Sequence, residues 1–191
     1  MGKSHTKNRG NLSPHTTSSN NTVLHNNMTN SGKGLSLSSS FNNTILENTV
    51  INNEWFGFYI WGSDNNSIIG NTLANSTHTD LYFYRSSNNT IYHNRFIDDV
   101  LELHIFESTN DWNNYYPSGG NYWSDYEDRY PNAIEIDDSG IWDTPYVIDG
   151  NNVDNYPIIP EFPSLIILLL FMIATLLAAL VCRRKKEACQ T

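Results

Sequence analysis

The sequence predicts an all-β protein built as a parallel β-helix, a solenoid of four to five coils followed by a cap and one membrane helix. Two observations predict this fold class: a motif recurs every 22 or 23 residues, and the composition disfavours helices. Among the 191 residues there are 27 Asn, 19 Ser and 15 Thr. These side chains compete with a helical backbone for hydrogen bonds, so a mostly helical protein is excluded.

The repeated motif is an asparagine pair that precedes Thr or Ser and then an aliphatic residue. The pairs begin at Asn20, Asn42, Asn65 and Asn88, and a later asparagine stands in each unit at Asn26, Asn48, Asn71 and Asn94. Each unit then carries two apolar residues in alternation: Leu35/Leu37, Phe58/Ile60, Leu81/Phe83 and Leu103/Ile105. We interpret Leu12 as part of a degenerate earlier coil, and Asn110 stands where the next pair would begin.

The apolar stretches of each unit alternate with period 2 and contain β-branched and aromatic residues, which is typical of strands. A unit this short suits one coil of a parallel β-helix, because a leucine-rich repeat would need more fixed leucines. Coils stack about 4.8 Å apart, so equivalent residues form columns. We expect one column to fill the interior: Val23, Ile45, Ile68 and Ile91. We expect another to form an amide ladder that satisfies backbone groups: Asn26, Asn48, Asn71 and Asn94.

Composition sets the boundaries of the remaining segments. Residues 1–17 are predicted to be a frayed or degenerate first coil, and residues 18–109 to be the coils. Residues 110–159 are rich in Tyr, Trp and acidic residues, and we expect them to cap the apolar end of the last coil. Between positions 98 and 161 there are 15 acidic residues and one basic residue, Arg129.

A membrane segment is predicted near the C-terminus. Residues 164–182 contain no charge, Pro or Gly, and as a helix they would cover about 28 Å, close to the hydrocarbon thickness of a bilayer. The basic cluster at 183–186 favours the cytoplasmic side. We therefore expect a single span in the cell membrane, with residues 1–160 outside the cell and a cytoplasmic tail at 183–191.

The repeat units and the cap sequence resemble a known family. The units SSNNTVLHN, SFNNTILEN, SDNNSIIGN and SSNNTIYHN, followed by GGNYWSDY at 119–126 and DTPY at 143–146, resemble NosD-type β-helix repeat proteins. The resemblance covers about residues 18–157 and implies right-handed coils. Such proteins normally have an export signal and more coils, so we expect either a truncated reading frame or one piece of a larger protein.

The C-terminal tail resembles a second pattern. Residues 160–163, Pro-Glu-Phe-Pro, precede the apolar segment and the basic cluster, as in the archaeal PEF-type sorting tail. This resemblance implies an archaeal cell surface, where the protein is held by its tail or processed by a sorting enzyme.

Charge and residue spacing exclude several functions. The net charge of −9 lacks the basic footprint that nucleic-acid binding requires. No catalysis is expected, because acids are sparse in the coils and Asp98 and Asp99, their one adjacent pair, would point to opposite faces of a strand. The NosD resemblance raises copper handling, but His25 and His93 would lie about 14 Å apart in one column and could not share an ion.

We expect a structural or adhesive component of the cell surface, anchored in the membrane through residues 164–182. One alternative is a carbohydrate-binding or carbohydrate-processing surface module, with Trp55 and Trp61 as platforms for sugar rings. The second alternative is a NosD-like metal-handling protein. We favour packing of the two tryptophans against neighbouring coils or the membrane-proximal surface. The expected partners are the membrane, cell-surface glycan and S-layer components, and no cofactor is required.

One metal site, for calcium, is predicted in the cap. Asp137, Asp138 and Asp143 place three carboxylates and a glycine turn within seven residues. Calcium prefers hard oxygen ligands on a flexible loop. The shell would be completed, if the chain folds back, by Asp149, Asn151 and Asp154. The competing interpretation is a solvated acidic loop.

Millimolar calcium is expected to raise the melting temperature of the protein, because a ligand that binds only the folded state stabilises it. Changing Asp137→Asn together with Asp143→Asn should abolish the increase. Thermal unfolding with calcium and with a chelator measures the effect. Identical melting curves in the two conditions would leave the segment as a solvated acidic loop.

Overall fold

Short strands stack along one axis in the computed structural model, which describes residues 15–16, 19–97 and 103–159. Each full coil contributes three strands, and the cap adds a four-residue helix and a hairpin. The elements in chain order are β1 (His15–Thr16), β2 (Thr22–Leu24), β3 (Asn27–Thr29), β4 (Lys33–Ser38), β5 (Thr44–Leu46), β6 (Thr49–Ile51), β7 (Phe56–Trp61), β8 (Ser67–Ile69), β9 (Thr72–Ala74), β10 (Thr79–Tyr84), β11 (Thr90–Tyr92), β12 (Arg95–Ile97), β13 (Leu103–Phe106), β14 (Tyr122–Trp123), α1 (Tyr126–Arg129), β15 (Tyr146–Asp149) and β16 (Asn152–Asp154).

The coil strands form three sheets that surround one interior. Sheet A has the order β2-β5-β8-β11, sheet B the order β3-β6-β9-β12-β14, and sheet C the order β1-β4-β7-β10-β13. Equivalent strands of successive coils pair in parallel, as β4 does with β7 and β7 with β10. The predicted all-β parallel solenoid is therefore confirmed, with four stacked strands in sheet A.

The interior is filled by apolar columns. The predicted column on sheet A is confirmed, since its four members align in register and are buried: Val23, Ile45, Ile68 and Ile91. The alternating pairs are confirmed on sheet C as two columns: Leu35, Phe58, Leu81 and Leu103, beside Leu37, Ile60, Phe83 and Ile105. Sheet B adds a column that the sequence analysis did not identify: Met28, Val50, Leu73 and Phe96.

Two details of the repeat differ from or extend the sequence interpretation. Asn110 does not begin a new pair: its Oδ1 accepts hydrogen bonds from Asn89, the second member of the last pair. Before the first full coil, His15 and Thr16 already pair in parallel with β4. Leu12 itself lies outside the described residues.

The predicted amide ladder is present, and it continues into the cap. Its members are Asn26, Asn48, Asn71, Asn94 and Asn121. From Asn48 onwards, each Oδ1 accepts hydrogen bonds from the backbone N and the Nδ2 of the asparagine one coil earlier, at 2.9–3.1 Å. The Nδ2 of Asn71 also donates to the carbonyls of Ile45 at 2.9 Å and Ile69 at 3.0 Å. Buried amide groups are thereby satisfied inside the protein.

A second ladder explains why the asparagines come in pairs. The second members of the four pairs make the same hydrogen bonds, and Asn110 continues their ladder: Asn21, Asn43, Asn66, Asn89 and Asn110. The first members are exposed and have positive φ, 56° at Asn42 and 58° at Asn65. Asparagine tolerates this left-handed region better than most residues. One asparagine therefore turns the chain, and the next joins two coils.

Several predicted features lie outside the described residues. These are Asp98 and Asp99, the Pro-Glu-Phe-Pro motif at 160–163, the span at 164–182 and the basic tail. Within residues 15–16, 19–97 and 103–159, the structure contains no helix that is long and apolar enough to cross a membrane.

The substitution Asn71→Ala is expected to lower the free energy of unfolding by about 3 kcal/mol or more. It removes the acceptor for the buried backbone N–H of Asn48 and the amide donor to the carbonyl of Ile45, and each buried polar group left without a partner costs about 1–3 kcal/mol. Urea unfolding followed by tryptophan fluorescence measures the change. The matched control is Asn27→Ala, which removes an exposed asparagine side chain and should cost less than about 0.5 kcal/mol. Equal effects of the two substitutions would contradict the role given to the ladder.

Candidate functional site

The cap ends both amide ladders with side chains of one hairpin, β15–β16. Asn152 Oδ1 accepts a hydrogen bond from the backbone N of Asn110 at 3.0 Å. Asp154 Oδ2 accepts one from the backbone N of Asn121 at 2.7 Å. The last backbone N–H groups of both ladders are therefore satisfied by acceptors that stand two residues apart on β16.

Two buried tryptophans cover the apolar end of the interior. Trp112 and Trp123 are 0% and 1% exposed, and their Nε1 atoms donate to the same two acceptors on β16 at 3.0 Å. Trp123 stacks on Phe96 of the last coil, with ring centroids 4.5 Å apart, and on Tyr146 of the hairpin at 4.2 Å. The interior is thus closed by aromatic rings whose polar atoms are hydrogen-bonded.

Asp154 is a fully buried carboxylate at the end of the first ladder. Burial raises the pKa of Asp154 from its ordinary 3.8 to about 6, although N–H groups of Asn121, Trp123 and Tyr156 donate to the carboxylate and oppose that rise. Gly120 leaves the necessary room, because a Cβ there would lie 1.8 Å from Asp154 Oδ1.

Sheet C carries a second group of aromatic side chains, on its outer surface. We call this group the aromatic face; its members are Tyr59, Trp61, Tyr82, Tyr84 and Phe106, and Trp55 stands just before β7. The register places Tyr59 beside Tyr82 and, in the next column, Trp61 beside Tyr84. The rings of Tyr59 and Tyr82 are nearly parallel, with centroids 5.0 Å apart. Aromatic side chains from three successive coils therefore share one surface.

The aromatic face is exposed to solvent. Trp55, Trp61 and Phe106 are 61%, 43% and 48% exposed. The two tryptophans are therefore not enclosed by neighbouring coils, and neither ring contacts another ring among the described residues. Their packing against the membrane-proximal surface stays a prediction. Lys33 lies at one side of the face with its Nζ 3.3 Å from the ring centroid of Tyr59, a cation–π contact. Burial lowers the pKa of Lys33.

Sequence reasoning pointed to exposed tyrosines and tryptophans and named Trp55 and Trp61, but it did not single out Tyr59 and Tyr82. Tyr59 stands between the interior residues Phe58 and Ile60, and Tyr82 stands between Leu81 and Phe83. Period-2 alternation places such residues on the outer surface of the sheet. The outward orientation of both tyrosines could therefore be predicted from the sequence. Their stacking could not, because it also depends on how β7 and β10 pair.

The three predicted calcium ligands lie in and beside a turn. Asp137 and Asp138 are exposed, with φ of 48° and 52°. They lie in the turn between Glu135 and Trp142, which form an isolated antiparallel bridge. Asp143 Oδ1 accepts hydrogen bonds from the backbone N of Ile134 at 3.0 Å and from Thr144 Oγ1 at 2.9 Å. Within the described residues no group of three or more His, Cys, Asp or Glu side chains could hold a metal ion. Calcium binding stays a prediction from the sequence.

Two of the three residues that were to complete the calcium shell, Asp149 and Asp154, take part in the ladder ends. Asp149 accepts hydrogen bonds from the backbone N of Asn151 and from Asn152 Nδ2. Asp154 accepts its hydrogen bonds from the first ladder and the cap. The carboxylates of β15 and β16 are therefore used for structure.

The described histidines do not form a copper site. His25 Nδ1 lies 3.1 Å from Glu47 Oε2, and His93 Nε2 lies 2.7 Å from the carbonyl of Ser118. His78 and His104 meet edge to face, with ring centroids 5.2 Å apart, but no third donor joins them in the described part of the chain. Met28 is buried in the interior, so the described residues do not supply the soft donor set that copper favours.

Replacing Asp154 is expected to change how stability depends on pH. Because the pKa in the folded state, about 6, lies above the ordinary 3.8, the folded state holds the proton more tightly, and this stabilisation is present below pH 4 and lost as pH rises through 6. Relative to Asp154→Asn, the free energy of unfolding of the wild-type protein should therefore fall by about 2 kcal/mol between pH 4 and pH 7.

Urea unfolding at both pH values measures this difference. The control is Asp128→Asn, which neutralises an exposed acidic residue of α1 and should leave the pH profile of the wild type unchanged. Parallel profiles for the wild type and Asp154→Asn would contradict the raised pKa.

Comparison with known proteins agrees with this architecture. Residues 4–128 match the family described as periplasmic copper-binding protein (NosD). Searches of the curated proteins and of the solved structures found no match. The family match covers well over half of the chain and includes all the described coils and both buried tryptophans. The chain therefore belongs to the NosD family.

Proposed function

We propose that this NosD-family chain is an adhesive cell-surface protein that binds polysaccharide through the aromatic face, while residues 164–182 anchor it in the cell membrane. The observation that carries the proposal is the exposure of Trp61 and Phe106 on sheet C, with the exposed Trp55 just before β7. Contiguous exposed apolar surface usually marks an interaction site. The family description, a periplasmic protein, agrees with export from the cytoplasm.

The chemistry of the aromatic face suits sugars. The apolar faces of sugar rings stack on aromatic rings, and tyrosine adds a hydroxyl group that can bind sugar hydroxyls. Trp55 and Trp61 are six residues apart along an extended segment, so their Cα atoms are separated by at most about 20 Å. That length suits an extended polymer better than a single sugar.

Binding without catalysis is proposed. Glycoside hydrolysis needs two carboxyl groups about 5–10 Å apart across the scissile bond. Glu107, which follows Phe106 at the margin of the aromatic face, forms an ion pair with Arg85. The carboxylate of Glu107 is thus engaged by the guanidinium of Arg85.

Trp61→Ala is expected to weaken polysaccharide binding about tenfold, because one stacked ring contributes about 1.4 kcal/mol. Affinity electrophoresis of the full-length protein in gels that contain purified cell-surface polysaccharides measures the change. Tyr116→Ala is the control, since Tyr116 is an exposed aromatic residue of the cap outside the aromatic face. The absence of binding to every polysaccharide, or equal mobility of Trp61→Ala and the wild type, would refute the proposal.

Deletion of residues 164–191 is expected to release the protein from the membrane fraction, because it removes the apolar segment. Deletion of residues 183–191 alone should leave the protein in the membrane fraction and is the control. Fractionation of cells followed by carbonate extraction measures both. Membrane association that survives the longer deletion would show that the anchor lies elsewhere.

A further inference from the structure

A cleft lies between the last coil and the cap hairpin. It has a volume of about 300 Å³ and is bounded on one side by residues 109–113 and on the other by residues 150–155. This volume stands at the lower end of the range for small-molecule sites. The cleft has room for one small molecule rather than for a polymer, and it shares no lining residue with the aromatic face.

The lining of the cleft carries polar side chains that form no hydrogen bond or ion pair with other described residues. The carboxylate of Asp111 and the side-chain amides of Asn151 and Asn155 have no hydrogen-bond or ion-pair partner within the described residues. Tyr115 adds a ring that is 71% exposed and makes no ring contact there. The wall also contains Asn110, whose Nδ2 is buried without a partner.

The backbone of the cleft is held in place from both sides. The backbone N of Asp111 donates to the carbonyl of Asn89, and its carbonyl accepts from the backbone N of Ile91. On the opposite wall, the backbone N of Asn151 donates to Asp149 Oδ1 at 2.7 Å. A site whose walls are fixed by such bonds loses little conformational freedom when it binds a ligand.

We propose that this cleft binds one neutral sugar ring. A sugar hydroxyl both donates and accepts hydrogen bonds; Asp111 accepts, and the amides of Asn151 and Asn155 do both. The exposed ring of Tyr115 offers a surface for the apolar face of the sugar. Asp111 is the charged residue of the lining and the chain has a net charge of −9, so an anionic sugar is disfavoured.

Saturation-transfer NMR and calorimetry on the full-length protein test the proposal. The ligands are neutral hexoses and N-acetylhexosamines, with glucuronic acid as the anionic comparison. At least one neutral sugar should bind, more tightly than glucuronic acid. Asp111→Asn and Asn155→Ala should each weaken binding by about tenfold, the usual effect of losing one hydrogen bond in a polar site.

The control and the contrary outcomes are specific. Asn132→Ala removes an exposed asparagine side chain elsewhere in the cap and should leave binding unchanged. No binding by any neutral sugar, or equal binding of glucuronic acid, would overturn the proposal. Loss of monosaccharide binding in Trp61→Ala, with retention in Asp111→Asn, would place the sugar on the aromatic face. That result would overturn the cleft site while leaving the polysaccharide proposal standing.

Discussion

The hydrogen bond from one asparagine to the amide oxygen of the asparagine in the next coil is the interaction on which this structure depends. A side-chain amide has both a donor and an acceptor, so the same contact can repeat in every coil. In this chain it repeats along two ladders, which begin at Asn21 and Asn26. The backbone N–H groups at the ladder positions of each coil are therefore satisfied from within, and the coils stay in register without disulfides.

A repeating ladder leaves donors without acceptors after its last coil. The cap supplies these acceptors, which explains why it is needed. A further coil would continue to stack, whereas β16 supplies Asn152 and Asp154 as final acceptors. Their partners include the indole N–H groups of Trp112 and Trp123. The residues that stop the ladders are thus the same ones that position the rings over the interior.

The ladders and the interior columns also determine which positions are left for function. Inward positions of sheet C are filled by residues such as Phe58 and Ile60, and the turns are held by asparagine. Outward positions neither fill the interior nor hold a turn, yet they are occupied by Tyr59, Trp61 and Tyr82 instead of ordinary polar residues. Large exposed rings that contribute little to the packing are the basis for assigning this surface to binding.

The sequence predicted the parts of the structure that repeat. The 22–23-residue period places Val23, Ile45, Ile68 and Ile91 in one column, because identical local conformations must stack. The cap could not be predicted in the same way, because its contacts join residues far apart in the chain; Asn110 and Asn152 are separated by 42 positions. The cleft likewise depends on where the hairpin folds back, which no local pattern records.

Hydrogen exchange of the backbone amides in the native state tests most directly the claim that the ladders hold the coils together. The backbone N–H groups of Asn43, Asn48, Asn66 and Asn71 donate to ladder oxygens inside the protein. They should exchange only through global unfolding, as slowly as the amides of Ile45 and Ile68 in sheet A. Exchange at the faster rate of exposed turns, through local opening, would contradict the account.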